Sequence, residues 1–159
     1  MRIVRISRIA VVTLSIALVS AVTGVQAQPQ HTGVAPIFIQ ADLQTKTLRD
    51  INTVATALAA FALDNSRYPG PTAGYVPAET LRKDLQPMYV RDLPVTDAWG
   101  GALLYWSDGK TYRIVSNGAD RKPAGPYDDP RAGTTTLNFD GDIILENGRF
   151  RQTADAESK

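Results

Sequence analysis

Apolar residues recur at steps of three and four through the first half of the chain: Leu43, Leu48, Ile51, Val54, Ala55, Leu58, Phe61 and Ala62. That spacing puts them on one face of a helix. Lys46, Arg49, Asp50 and Asn52 fall largely off that face. The pattern predicts one long helix from Ile37 to about Asn65 or Ser66, since Pro69 stops it and pushes Tyr68 toward an extended backbone. A helix of that length reaches about 44 Å at 1.5 Å per residue. The glycines and prolines of Pro69 to Gly74 predict a loop. Pro77 at a first helical position and Glu79 in the first turn predict a short helix to about Leu85, closed by Pro87.

Beyond residue 100 the period shortens. Ala102 to Trp106 and Thr111 to Val115 flank Ser107-Asp108-Gly109-Lys110, while Asp142 to Leu145 and Arg149 to Arg151 flank Glu146-Asn147-Gly148. Asp-Gly and Asn-Gly are hairpin pairs because the tight turns between strands need positive φ at their centre. The expected fold class is therefore α+β, with a long N-terminal helix packed on a small antiparallel sheet of about four strands and one short helix between them. Asn117 to Phe139 joins the two hairpins as a long loop, and loops above about 15 residues are uncommon unless they are functional or disordered.

The first residues say where such a domain works. Arg2, Arg5 and Arg8 precede an apolar run from Ile9 to Val22, and Val25-Gln26-Ala27 supplies small residues for cleavage. These are the three parts of a Sec signal peptide, cut after Ala27, and the apolar run is short of the about 20 residues that span a bilayer. The expected division is 1–27 signal peptide, 28–36 flexible lead, 37–151 folded domain and 152–159 disordered tail. An uncleaved N-terminus that anchors the protein to the membrane is the alternative. Cleavage leaves 132 of the 159 residues and removes three arginines and no acids, taking the formal charge from +1 to −2. That balance argues against nucleic-acid partners, which select a basic face. It fits a periplasmic or secreted protein with no stable membrane span. With no cysteine in the chain, an exported domain lacks disulfide staples and relies on its core or on a metal. The same lack, with the single histidine His31 on the lead, leaves no Ser–His–Asp or Cys–His set.

Four short motifs then appear in order. The helix closes on LDNSRYP (Leu63 to Pro69), similar to an "aspartate-asparagine-x-arginine-tyrosine-proline" ending. LPVTDAWGGALLYW (Leu93 to Trp106) resembles a "leucine-proline-x-x-aspartate-proline-tryptophan-glycine" turn that leads into a tyrosine-bearing strand. YRIVSNGAD (Tyr112 to Asp120) and DGDI (Asp140 to Ile143) resemble "serine-leucine-glycine-alanine-aspartate" and "aspartate-alanine-aspartate-isoleucine". Together they make the stretch from Ile51 to Ile143 resemble the globular domain of the major pseudopilin family of type II secretion systems. The prepilin leader and its glutamate-bearing apolar helix are absent, Ala98 stands where that family has proline, Asn117 stands for leucine, and the loop before DGDI is longer. The resemblance thus implies a soluble form of the pseudopilin head: a non-catalytic structural or interaction module whose partners are proteins, among them secretion or pilus-like components.

The resemblance also implies a structural calcium in the 116–142 loop. Calcium takes six to eight oxygen ligands, and Asp120, Asp140 and Asp142 offer carboxylates from the two margins of the loop. Ser116 offers a hydroxyl, Asn117 and Ala119 offer carbonyls in a glycine-containing turn, and Gly141 lets the backbone bend between its neighbours. The absence of cysteine and the remote histidine disfavour zinc or copper. The metal candidates are therefore Ser116, Asn117, Asp120, Asp140 and Asp142. The same Asp140 and Asp142 carry the enzymatic alternative, an exported hydrolase using paired carboxylates. Trp99, Tyr105, Trp106 and Tyr112 read as packing residues, and Asp97 as the cap of the turn before Trp99-Gly100.

Overall fold

A computed structural model describes residues 34–128 and 138–151 of the chain. The expected signal peptide, His31, most of the lead, and the tail at 152–159 lie outside the described residues. Helix α1 spans Val34–Asn65, 32 residues, or about 48 Å at 1.5 Å per residue. It starts three residues before the expected boundary. Pro36 does not prevent this, because first-turn N–H groups have no intrahelical acceptor and a proline there loses nothing. The helix ends as its sequence predicts. Ser66 turns to φ 57° and still donates its N–H to Ala62 O at 2.8 Å, and Asn65 Nδ2 caps Phe61 O at 2.9 Å.

The sheet is a five-stranded antiparallel meander, one strand more than expected, in which every strand pairs with its sequence neighbours. Strands β1 (Val76–Pro77), β2 (Leu104–Ser107), β3 (Tyr112–Ser116), β4 (Ile143–Glu146) and β5 (Arg149–Phe150) follow one another across it. The extra strand is β1, where Val76 pairs with Tyr105 and Pro77 with Leu104. Pro77 closes that strand and leads into a 3-10 helix, Ala78–Leu81, which runs into the short α2, Arg82–Leu85. Both expected hairpin turns form. Asp108 Oδ1 accepts the N–H groups of Lys110 and Thr111 at 2.8 and 2.6 Å. Asn147 and Gly148 both take positive φ, 48° and 82°, and Asn147 Oδ1 accepts the Tyr112 N–H.

Ile51, Val54, Leu58 and Phe61 of α1 are buried against Leu103, Tyr105, Ile114, Ile143 and Leu145, with Leu81 and Leu85 closing one side. Each such aliphatic side chain contributes about 1.5–3 kcal/mol when fully buried. Tyr68 folds back from the helix end, its ring 4.6 Å from that of Tyr112 and its N–H on Gly109 O. Strand alternation points Val115 and Ile144 away from that core, yet both are completely buried. The sheet is therefore covered on its second side too. There Arg113 sits 5.0 Å from the Trp106 ring and bonds Glu146, which also holds Arg151, and Tyr127 packs on Tyr75. Among the described residues no helix is long and apolar enough to cross a membrane.

Candidate metal site

The margins of the long loop meet at glycine. β3 ends at Ser116, and Gly118 takes φ +64°, a conformation that glycine adopts without steric cost. The turn packs so tightly on residues 139–141 that a Cβ at position 118 would lie 2.6 Å from Phe139 O and 2.7 Å from Gly141 O. The next amide, Ala119 N–H, donates to Phe139 O at 2.8 Å. The two segments that bear the candidate acids are thus in direct backbone contact, although some twenty residues separate them.

The five candidates occupy different surroundings. Asp142 is 1% exposed; its Oδ2 accepts the Ala124 N–H at 3.0 Å, while its Oδ1 is buried with no hydrogen-bond partner among the described residues. Burial pushes the Asp142 carboxyl above its ordinary value; the Ala124 bond opposes the rise and the nearby charge of Asp120 adds to it. Asp120 is exposed and its Oδ1 accepts the Lys122 N–H at 2.9 Å. Asp140 is exposed on the 139–141 turn. Ser116 is fully buried and its hydroxyl is engaged twice, donating to Asp97 Oδ2 at 2.6 Å and accepting the Gly118 N–H at 3.2 Å. Asn117 Oδ1 accepts the Tyr127 hydroxyl at 2.7 Å. The fold therefore brings Asp120 toward Asp142 and the backbone of 116–120 onto that of 139–141. It does not gather three acidic or imidazole side chains into one cluster among the described residues. It also leaves the side chains of Ser116 and Asn117 bonded to other protein groups.

Several residues that hold this arrangement are not legible as site residues in the sequence. Asp97 caps its turn as expected, Oδ1 accepting the N–H groups of Trp99 at 3.1 Å and Gly101 at 2.7 Å. Its second oxygen reaches Ser116, which no local pattern announces. Ala98 donates its N–H to Thr47 Oγ1 at 3.0 Å, a bond that the proline of the resemblance would lack. Trp99 Nε1 donates to Gln40 Oε1 at 2.7 Å, and Arg121 Nη2 donates to Trp99 O. Tyr127 joins the loop to the far side of the sheet, accepting Arg151 Nη1 on its carbonyl and meeting the Tyr75 ring edge-to-face, with centroids 4.7 Å apart. Asp140 and Asp142, one exposed and one buried, do not share a common environment, and a pocket lined by Pro69, Thr72, Leu81, Asp84 and Tyr105 contains neither.

Comparison with known proteins agrees with this architecture. The family described as type II secretion system (T2SS), protein G matches residues 39–133, from the first turns of α1 past Asp97, Ser116, Asn117 and Asp120 and short of Asp140 and Asp142. None of the curated proteins compared with the chain matches it. The matched span is well over half of the 159 residues, and the long helix, short helix and antiparallel sheet follow in the expected order. The chain belongs to the type II secretion system protein G family.

Proposed function

We propose that this protein is a non-catalytic structural and interaction component of type II secretion, exported to the periplasm, whose head is stabilised by calcium in the 116–142 loop. Membership of the protein G family supports the secretion role. The basic, apolar and small-residue segments of 1–27 support export. A chain with no cysteine and its one histidine at position 31 supports a role in binding rather than turnover.

The observation that carries the metal part is Asp142 Oδ1, a buried carboxylate oxygen with no donor among the described residues, near enough to Asp120 to feel its charge. Leaving such an oxygen unpaired costs about 1–3 kcal/mol, and more for a charged group. A hard cation is the partner that suits it, because the donors at hand are all oxygen. Asp142 and Asp120 would hold calcium through their carboxylates, with Asp140 and backbone oxygens of Ser116 and Asn117 completing the set. Bound there, calcium would neutralise the acids and fasten the two margins of the loop, the part a disulfide plays in other exported domains.

Melting the purified chain in EDTA and then in excess calcium tests this. Calcium at a hundred times Kd adds about 2.7 kcal/mol, a rise on the order of 10 °C for a domain of this size. The shift disappears in Asp120→Ala and Asp142→Asn. An unchanged melting temperature overturns the metal. Cross-linking in periplasmic extract recovers other type II secretion components; recovery of none at any calcium level overturns the secretion role.

A further inference from the structure

We propose that Asp97 is a positioning residue for the metal loop, acting through Ser116 on the turn at Gly118. Capping a turn needs one acceptor atom, and Oδ1 alone does that, accepting from Trp99 and Gly101. Oδ2 is left over, and it takes the Ser116 hydroxyl at 2.6 Å from nineteen residues along the chain. Both groups are buried, at 5% and 0% exposure, so water does not compete for the bond. A serine whose proton is committed to a carboxylate has its lone pairs aimed elsewhere, and the Gly118 N–H takes one at 3.2 Å. Gly118 is thereby set against Phe139 and Gly141, and Ala119 bonds Phe139 O.

The other end of this strut is fixed to the helix. Thr47 accepts from Ala98 and Gln40 accepts from Trp99, so the 97–101 turn cannot drift without breaking bonds to α1. A continuous path of hydrogen bonds thus runs from α1 through Asp97, Ser116 and Gly118 to the backbone between the candidate acids. An asparagine at 97 would keep an acceptor for the turn. It would place an amide donor opposite Ser116, reversing that bond and releasing the hydroxyl proton from its fixed direction. The positioning is a property of the metal-free chain; its consequence for calcium affinity rests on the reading above.

Amide hydrogen exchange on the calcium-free full chain tests the strut. Asp97→Asn raises exchange at Gly118 and Ala119 by about tenfold, the scale of one lost local hydrogen bond, while Ile114 in β3 changes by less than about twofold. Ser116→Ala raises exchange at Ala119 similarly, and D97N/S116A goes no further than S116A alone, as expected if one residue acts through the other. Thr47→Val removes one of the two bonds that hold the 97–101 turn to α1 and spares the Asp97–Ser116 bond, so it raises exchange at Ala119 by less than D97N does; a rise as large as that in D97N overturns the proposal. Unchanged exchange at Ala119 in D97N, or D97N adding its full effect on top of S116A, overturns the proposal. Should D97N fail to fold, S116A decides it: Ala119 exchange equal to wild type overturns it. In a separate calcium titration, D97N binds about tenfold more weakly than wild type. A wild-type chain that binds no calcium overturns the metal and leaves the strut to the exchange data, so the two failures are distinct.

Discussion

Gly118→Ala concentrates the physics of the loop in one methyl group. The residue sits at φ +64°, and a side chain there costs about 1–2 kcal/mol from the contact of Cβ with the following carbonyl. The methyl would also stand 2.6 Å from Phe139 O, 2.7 Å from Gly141 O and 3.0 Å from Asp140 C. All three are backbone atoms, so no rotamer change relieves them and the 139–141 turn itself must retreat. Overpacking of that kind costs about 1–3 kcal/mol. The sum, about 2–5 kcal/mol, is a large share of the 5–15 kcal/mol that typically holds a domain together. It corresponds to a fall in Tm on the order of 10 °C or more. Urea melts followed by tryptophan fluorescence give the midpoint and slope. Gly74→Ala is the control, because a Cβ there meets nothing within 4 Å and Gly74 is not at positive φ. That control stays near wild type or gains a few tenths of a kcal/mol. A Gly118→Ala midpoint equal to that of Gly74→Ala would refute the claim that the two margins of the loop are in backbone contact.

Two further outcomes follow from the titrating groups. Asp142 has a raised folded-state pKa, so its own contribution to metal-free stability is fullest below the unfolded value of 3.8 and is lost as pH rises through the folded value. Asp142→Asn removes that loss: in EDTA its melting advantage over wild type grows from pH 4 to pH 7, and with calcium the order reverses. Glu146 behaves oppositely. Burial alone would raise it, but its bonds to Arg151 and Arg113 prevail and hold it below the ordinary 4.5. Its contribution is present above 4.5 and is lost as pH falls through the folded value. Glu146→Gln should lower stability by about 1–2 kcal/mol at pH 7 and by much less at pH 3, in urea melts at the two pH values.

What the sequence discloses depends on how local the cause is. The helix face from Ile51 to Phe61 and the turns at Asp108-Gly109 and Asn147-Gly148 arise from contacts a few residues apart, and each forms where the pattern puts it. Strand β1 is two residues long and exists through its pairing with Leu104 and Tyr105, so Val76-Pro77 reads alone as a helix start. The loop shows the same divide. Asp120, Asp140 and Asp142 stand out as acids, but their unlike burial is set by the Gly118 contact and by the Ala124 N–H, which join distant segments. Asp97 was half legible: the turn explains one oxygen and Ser116 the other. Ala98 and Asn117, the two substituted positions among the departures from that resemblance, each carry a bond that the usual residue would lack, to Thr47 and Tyr127.

The meander ends in very short strands. Among the described residues its outermost members, Val76–Pro77 and Arg149–Phe150, have two residues each, and one of those four is a proline with no N–H to offer. An open sheet normally invites a neighbouring molecule to zip onto its rim, the first step of amyloid-like stacking. Here a would-be templating chain finds a ledge too narrow to grip, so copies crowded together in a confined compartment have little purchase for running on into fibrils through their backbones.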